Sequence, residues 1–413
     1  QKEILECARE SIILLKNDDQ RLPLQKDKIK SLAVIGQNGE RVHSNGGGSA
    51  EIKALYEISP LLGLKMELGG AVDVKYAKGY YVPTKEEKKI NWQIDSLDKE
   101  QMDKYEEESQ DRLNQLQKEI ESKQEELLAQ AVLLAKETED VILVVGLDHE
   151  YDVEGKDRKD MKLPYGQDRL IKEVLAVNPN AIVVIIAGSP VEMESWADDA
   201  KAIVWSYYAG MEGGRALAEI LLGKVNPSGK LAETLPRKLE DSPAHSLGEF
   251  GLYGKVTYNE GVFVGYRYFD SHNTDVQFPF GHGLSYTKFE YSNLMVSIDE
   301  SSMEDDLIVK IKATIKNTGN QAGAEVVQVY VADKEASVSR PVHELKGFDK
   351  VYLEPGHEKM VEVILNKDSF GFFDEDGSSF LVEPGEFEIQ LASSSRDIRL
   401  KELIKIDKEY RYS

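Results

Sequence analysis

One cysteine, Cys7, is the only thiol in this chain of 413 residues. No disulfide can close within it, and no thiolate cluster can hold a metal. Its seven histidines are scattered, with no pair four residues apart, so no metal site is expected. Long apolar runs are also missing. The longest is about eight residues, around Ala181–Ala187, against the roughly 20 that a bilayer-spanning helix needs. Cations are outnumbered: 51 Lys and Arg face 74 Asp and Glu, a formal net charge of -23. That excess disfavours phosphate backbones and anionic lipid surfaces, so no nucleic acid and no membrane is expected as a partner. There is no G-x-S-x-G elbow and no Gly-Lys-Ser/Thr phosphate loop, and Gly36-Gln-Asn-Gly39 lacks dinucleotide spacing. These absences disfavour a nucleotide-binding α/β protein, and no cofactor is implied.

What is present reads as a folded chain of two or three domains, with 41% hydrophobic and 30% charged residues. The first residue is Gln1, inside an amphipathic pattern (Ile4, Leu5, Ala8, Ile12, Leu15) at helical spacing. We read it as a chain lacking its natural N-terminal part, or an engineered one. Cys7 is expected as a buried small residue of that helix. Residues 1–240 alternate apolar strands with helical stretches. The expected strands are Leu32–Gly36, Val72–Tyr76, Val141–Gly146, Ile182–Ala187, Ile203–Tyr207 and Leu231–Leu235. Continuous β-branched runs suit parallel strands buried on both faces, so an open α/β sheet with helices on both sides is expected. Within it, about 84–129 is a charged helical insert. Its Leu113, Leu116, Ile120 and Leu127 fall at seam-like positions interrupted by Lys123, which fits a solvated helix or a short helical hairpin. Residues 241–288 read as an aromatic-rich ordered connector. From 289 to 413, period-two strands separated by Asn317-Thr-Gly319, Glu354-Pro-Gly356 and Glu383-Pro-Gly385 predict an antiparallel sandwich of about seven strands.

Two segments could carry chemistry. The first follows the strand Val141–Gly146 and runs from Asp148 through His149, Glu150, Tyr151, Asp152, Glu154 and Gly155 to Asp157 and Arg158. Ligands of open α/β sheets bind beyond the carboxyl ends of strands, where this loop begins. Packed acids raise one another's pKa, which keeps a carboxyl protonated for general-acid work. A solvated surface turn is the plainer alternative. An EF-hand does not fit: counted from Asp148 the sixth residue is Val153, and counted from Glu150 the twelfth is Met161. The second segment is Asn45-Gly46-Gly47-Gly48-Ser49-Ala50, whose glycines let backbone approach a ligand closely or simply make a tight turn.

Taken in order, the motifs resemble glycoside hydrolase family 3. They are Ala8-Arg-Glu-Ser-Ile-Ile-Leu-Leu-Lys-Asn17, Ala33-Val-Ile-Gly36, Gly46-Gly-Gly-Ser-Ala50, Glu154-Gly-Lys-Asp-Arg158, Leu163-Pro-x-Gly-Gln167 and Asn226-Pro-Ser-Gly-Lys-Leu231. Glu260-Gly-x-x-x-Gly-Tyr-Arg-Tyr-Phe-Asp270, Phe278-Pro-Phe-Gly-His-Gly-Leu-Ser-Tyr286 and Glu344-Leu-Lys-Gly-Phe348 continue the series. The resemblance implies a six-stranded α/β sandwich followed by a fibronectin type III-like domain. It also implies a preceding (β/α)8 barrel, with the nucleophilic Asp and most sugar-binding residues, as a partner in cis or trans. No Ser-Asp-Trp nucleophile motif occurs here. The general acid/base carries over onto Glu154, with Glu150 as rival. Asp157 and Arg158 are expected to pair or to brace the loop. Gly47, Gly48, Ser49, His149 and Tyr151 are candidates to line the site of a β-linked glycoside. A non-catalytic carbohydrate-contacting or structural module is the competing expectation.

Overall fold

The computed structural model describes residues 1–84, 99–155, 157–248, 250, 254, 256–299 and 306–413, with the backbone alone for 99–113. Six strands make its first sheet: β1 (Ile13–Asn17), β2 (Ser31–Ile35), β3 (Asp73–Ala77), β4 (Asp140–Gly146), β5 (Ile182–Ile186) and β6 (Ala202–Trp205). Their spatial order is β1-β6-β5-β4-β2-β3. Five run parallel, and β1 lies antiparallel along the edge of β6. Alternate residues of each strand serve two cores. Ala33, Leu143, Val145 and Val183 face Leu128, Ala131 and Ala135 of α3 (Lys99–Glu137) and Leu170 and Val174 of α4 (Gln167–Val177). Leu32, Val34, Ile142 and Val184 face Leu5 of α1 (Lys2–Ser11), Leu64 of α2 (Pro60–Leu68) and Leu217 of α5 (Gly213–Leu221). Burial on both faces explains why these strands are continuous apolar runs.

The strand order places the site. From β2 the chain crosses to β3 on one side, and from β3 it returns to β4 on the other. The loops after β2 and β4 therefore diverge, leaving a crevice at a topological switch point. Gly146 starts the second loop at φ 137, and a Cβ there would sit 1.9 Å from the carbonyl oxygen of Ile186. Only glycine fits so close a strand crossing.

Four sequence expectations are changed or narrowed. The amphipathic helix stops at Ser11, and Ile13–Asn17 is the edge strand. Ile12, Ile13, Leu14 and Leu15 are all buried, which a one-sided helix cannot achieve. Leu231–Leu235 is not a strand of this sheet. Only Leu235–Pro236 is extended, as β7, paired with β8 (Val276–Phe278). Cys7 is exposed, because the buried positions of α1 are Leu5 and Ala8. The insert is one helix through Glu137 where it is described, not a hairpin; residues 85–98 of that expectation lie outside the described residues. Lys123, which breaks its seam, caps the Tyr81 ring at 4.7 Å.

The C-terminal part is a sandwich of a three-stranded sheet, β13-β10-β9, on a four-stranded one, β12-β11-β16-β17. In chain order these are β9 (Phe289–Ile298), β10 (Ile308–Asn317), β11 (Gly323–Asp333), β12 (Glu344–Leu353), β13 (Glu358–Asn366), β16 (Gly385–Ser394) and β17 (Asp397–Ile406), with the short β14 (Phe372–Asp374) and β15 (Ser379–Val382) between. Val309, Ile311, Ala313 and Ile315 alternate with lysines and threonine along β10, as a half-buried strand requires. The aromatic segment before it touches both bodies. Tyr266 stacks on Phe280 at 4.6 Å and its hydroxyl accepts from the Leu345 amide. The imidazole of His282 donates to the Leu15 carbonyl, and the Gln328 amide donates to the Gly281 carbonyl. Among the described residues no helix is long and apolar enough to cross a membrane.

Gly146→Ala should destabilise the chain by ~3 kcal/mol or more, because the added carbon meets backbone that cannot rotate away. A urea midpoint equal to that of the parent chain would show that the crossing is not so tight.

Candidate active site

Two loops meet over the crevice, and two aspartates fix them. Asp148, buried at the end of β4, accepts from Arg41 Nη1 at 2.8 Å, the Tyr165 hydroxyl at 3.0 Å and the Glu150 amide at 3.0 Å. Burial alone would raise its pKa, but the Arg41 bond and the Glu150 amide together hold it below the ordinary value. Asp152 accepts from the Gly188 amide at 2.7 Å, the Ser189 hydroxyl at 3.0 Å and the Tyr208 hydroxyl at 2.9 Å. Its backbone carbonyl accepts from the Gly47 amide at 3.2 Å. These two acids are structural anchors, a division of labour that counting carboxylates in the loop does not reveal.

Glu154 stands beyond the second anchor, exposed, and its Oε2 accepts from the Ser49 amide at 3.3 Å. Gly48 makes this approach possible: a Cβ there would lie 3.0 Å from the Glu154 Cβ. The hydroxyl and amide of Ser49 hold the Glu154 carboxyl below its ordinary value. The expectation that packed acids raise one another therefore does not describe Glu154 in this chain, because its exposed carboxyl accepts from Ser49. Gly47, Gly48 and Ser49 do lie against the acidic loop. His149 joins them, donating Nε2–H to the Asn45 carbonyl at 2.8 Å, which fixes its tautomer. Tyr151 packs edge-on against Tyr165 at 5.5 Å. Glu150 is exposed on the turn that Asp148 caps.

Asp157 is exposed, and Arg158 does not pair with it among the described ion pairs. Arg158 Nη2 donates instead to the Pro190 carbonyl at 2.5 Å, bracing the loop against the turn after β5. Its Nη1 is buried without a partner among the described residues. Glu233, within the stretch expected as a strand, is half-buried and within electrostatic reach of Arg158. Its carboxyl accepts from the Tyr207 hydroxyl at 3.4 Å and is pushed up to about 7, chiefly by burial, with Asp152 adding repulsion and Arg158 opposing it. His43 stacks on Tyr208 at 5.9 Å, and burial, with Arg41 and His149 nearby, lowers it to about 3, so it is neutral. The two loops thus enclose aromatic rings, the neutral His43 and the anchoring Asp148 and Asp152, and Glu154 stands exposed where they meet.

Residues 12–286 match the family description "Glycosyl hydrolase family 3 C-terminal domain". The chain belongs to glycosyl hydrolase family 3. Residues 325–395 match a fibronectin type III-like domain. A thermostable beta-glucosidase B of Acetivibrio thermocellus is 40% identical over 402 residues, which is 97% of this chain and 48% of that protein. A beta-glucosidase of Bacteroides ovatus is 39% identical over 404 residues, 95% of this chain and 50% of that one. The crystal structure of a beta-glucosidase from Kluyveromyces marxianus superposes with a TM-score of 0.83 at 29% identity, covering 100% of this chain and 62% of its own. The family 3 chain thus spans about half the length of the curated relatives it matches, and corresponds to their C-terminal portion.

Glu233 gives a pH signature. Its carboxyl titrates near 4.5 when free and near 7 here, so the fold binds the proton more tightly. That contribution is complete below about pH 4.5 and is lost as pH rises through about 7. Glu233→Gln should therefore gain thermal stability relative to the parent as pH rises from about 5 to about 8, by on the order of 1–3 kcal/mol. Parallel melting curves across that range would contradict the shift.

Proposed function

We propose that this chain is the C-terminal part of a retaining β-glycosidase, most simply a β-glucosidase, and that it supplies the general acid/base Glu154 but not the nucleophile. The reading rests chiefly on one observation. Glu154 is the exposed carboxylate of the switch-point crevice that the Gly46–Ser49 loop contacts, on the family's Glu-Gly…Asp-Arg segment. In this mechanism an aspartate of the barrel attacks the anomeric carbon while Glu154 delivers a proton to the leaving oxygen. Water then hydrolyses the glycosyl-enzyme with Glu154 as base. Retention requires the two carboxyls to lie about 5–5.5 Å apart, so the barrel mouth must close over this loop.

The lowered pKa of Glu154 fits the basic half of that cycle and opposes the acidic half. Packing a second body and a sugar over an exposed carboxylate removes its water, which disfavours the charged form and raises the pKa. The acid is thus completed by its partner. Arg158 supports it by fixing the loop's exit to Pro190. The substrate would be a β-linked oligosaccharide or glycoside, the class that the relatives' names indicate. The competing reading, a module that only contacts carbohydrate or packs against another domain, is favoured by the missing nucleophile motif.

The purified 413-residue chain is expected to leave aryl β-glucosides intact, since double displacement cannot start without a nucleophile. Sustained turnover by the chain, free of contaminating enzyme, would place the nucleophile within it. With a related barrel fused upstream, Glu154→Ala should slow substrates with poor leaving groups by roughly 10²–10⁴-fold and spare activated aryl substrates in the first step. Azide should restore turnover, since it needs no base. The same pattern in Glu150→Ala, with Glu154→Ala unaffected, would move the role to Glu150. If neither variant shows it, the acid lies outside this loop.

A further inference from the structure

We propose that Tyr56 is a positioning residue for Glu154: its bond to the buried Glu212 holds the returning limb of the triple-glycine loop, and that limb presents the Ser49 amide to the Glu154 carboxyl. The proposal rests on the reading of Glu154 above, but its test does not use turnover.

The loop runs between β2 and α2, and most of it is firmly held. On its outgoing limb the Asn45 carbonyl accepts from His149 at 2.8 Å, and the Gly47 amide donates to the Asp152 carbonyl at 3.2 Å. At its base the Glu57 carboxyl accepts from the Ser44 amide at 3.1 Å. The Ile58 amide there donates to the Met211 carbonyl at 2.9 Å, and the Ile58 carbonyl accepts from the Gly214 amide at 3.0 Å. The limb between Ser49 and this base is different. After the single turn Gly48–Ala50 it has no helix or strand. Ile52 is 65% exposed and Leu55 91%, so burial of these side chains does little to hold it. The Asn45 side-chain amide donates to the Ile52 carbonyl at 3.3 Å, which joins two limbs of one loop. The Tyr56 hydroxyl reaches out of the loop, donating to Glu212 Oε1 at 2.5 Å.

Glu212 makes that bond strong. It stands immediately before α5 and is wholly buried. Its Oε1 also accepts from Gln1 Nε2 at 2.9 Å, while its Oε2 has no partner among the described residues. A buried carboxylate short of donors loses most when one of the few it has is removed. The phenol bond is charge-assisted and ends on a group that packing keeps in place. An exposed limb is thus tied to an immobile acid. At the other end of the limb, the Ser49 amide lies 3.3 Å from Glu154 Oε2, already long for such a bond. A drift of a few tenths of an ångström breaks it. Glu154 would then lose a donor to its charged form, and its pKa would rise.

The test is carbon-13 titration of the Glu154 carboxyl in the 413-residue chain, with nitrogen-15 relaxation of the loop amides. In Tyr56→Phe the Glu154 midpoint should rise by roughly 0.5–1 pH unit. Amide order parameters over 50–55 should fall below about 0.6 while those of α4 and β5 stay near about 0.85. Glu212→Ala should reproduce both changes. Glu212→Gln, which keeps an acceptor for the phenol, should show less than half of them. A purely structural loss of stability would lower the melting temperature without moving the Glu154 midpoint. An unchanged midpoint in Tyr56→Phe would overturn the proposal, and a shift in Tyr56→Phe that Glu212→Ala does not share would overturn the link through Glu212. Tyr56 is 38% exposed, so loss of its hydroxyl leaves the fold intact, and Tyr56→Phe decides alone if Glu212→Ala does not fold. Because Glu154 chemistry is not read out, failure of the acid/base assignment would leave these results untouched, and the reverse.

Discussion

The side chain of Asp152 accepts hydrogen bonds from Gly188, Ser189 and Tyr208, while its backbone carbonyl accepts one from Gly47. Those partners belong to the loops after β5, β6 and β2, and Asp152 itself to the loop after β4. One residue thus ties the carboxyl ends of four parallel strands into a single surface. The tie is charge-assisted at the side chain, and such bonds are roughly twice as strong as neutral ones. Everything proposed for this face depends on it: without Asp152, neither the triple-glycine loop nor Glu154 has a fixed position relative to the sheet.

Around that knot the acids divide by environment. Asp148 is buried but has a guanidinium, a phenol and an amide to itself, so it stays ionised. Glu154 is exposed and held by Ser49, so it too favours the charged form. Glu233 is half-buried with one long phenolic bond, and it alone of the three shifts upward. Desolvation without adequate donors is what separates it from the others. The carboxyl shifted toward neutral pH in this chain is therefore Glu233 and not the exposed Glu154.

The fold was largely legible because its signals are redundant. Continuous β-branched runs announce a parallel sheet, and alternation along β10 announces a sandwich. The errors came where a local pattern serves two geometries. Ile12–Leu15 continues a helical spacing, yet four adjacent buried residues belong to an edge strand that β6 covers. Leu231–Leu235 has strand composition, but the connector claims it: the Leu231 amide donates to the His282 carbonyl, and the Gly281 amide donates to the Leu231 carbonyl. That the glycine loop and the acidic loop leave the sheet at strand ends was legible, and the structure brings them into contact. The roles of its acids were not, since Arg41, Tyr165, Gly188 and Tyr208 come from 107, 17, 36 and 56 positions away from the carboxylates they serve. No local spacing encodes partners at such separations.

The sandwich and connector add a constraint of their own. Lys230 donates to Gly283 and reaches Glu325 on β11, where the Tyr291 hydroxyl of β9 also donates. Asp270 accepts from Arg396 Nε and pairs with His343, both of the sandwich. These contacts are buried or half-buried, and removing one partner of such a pair leaves an uncompensated charge, which costs more than the pair itself contributes. The joint between the two bodies is consequently stiff.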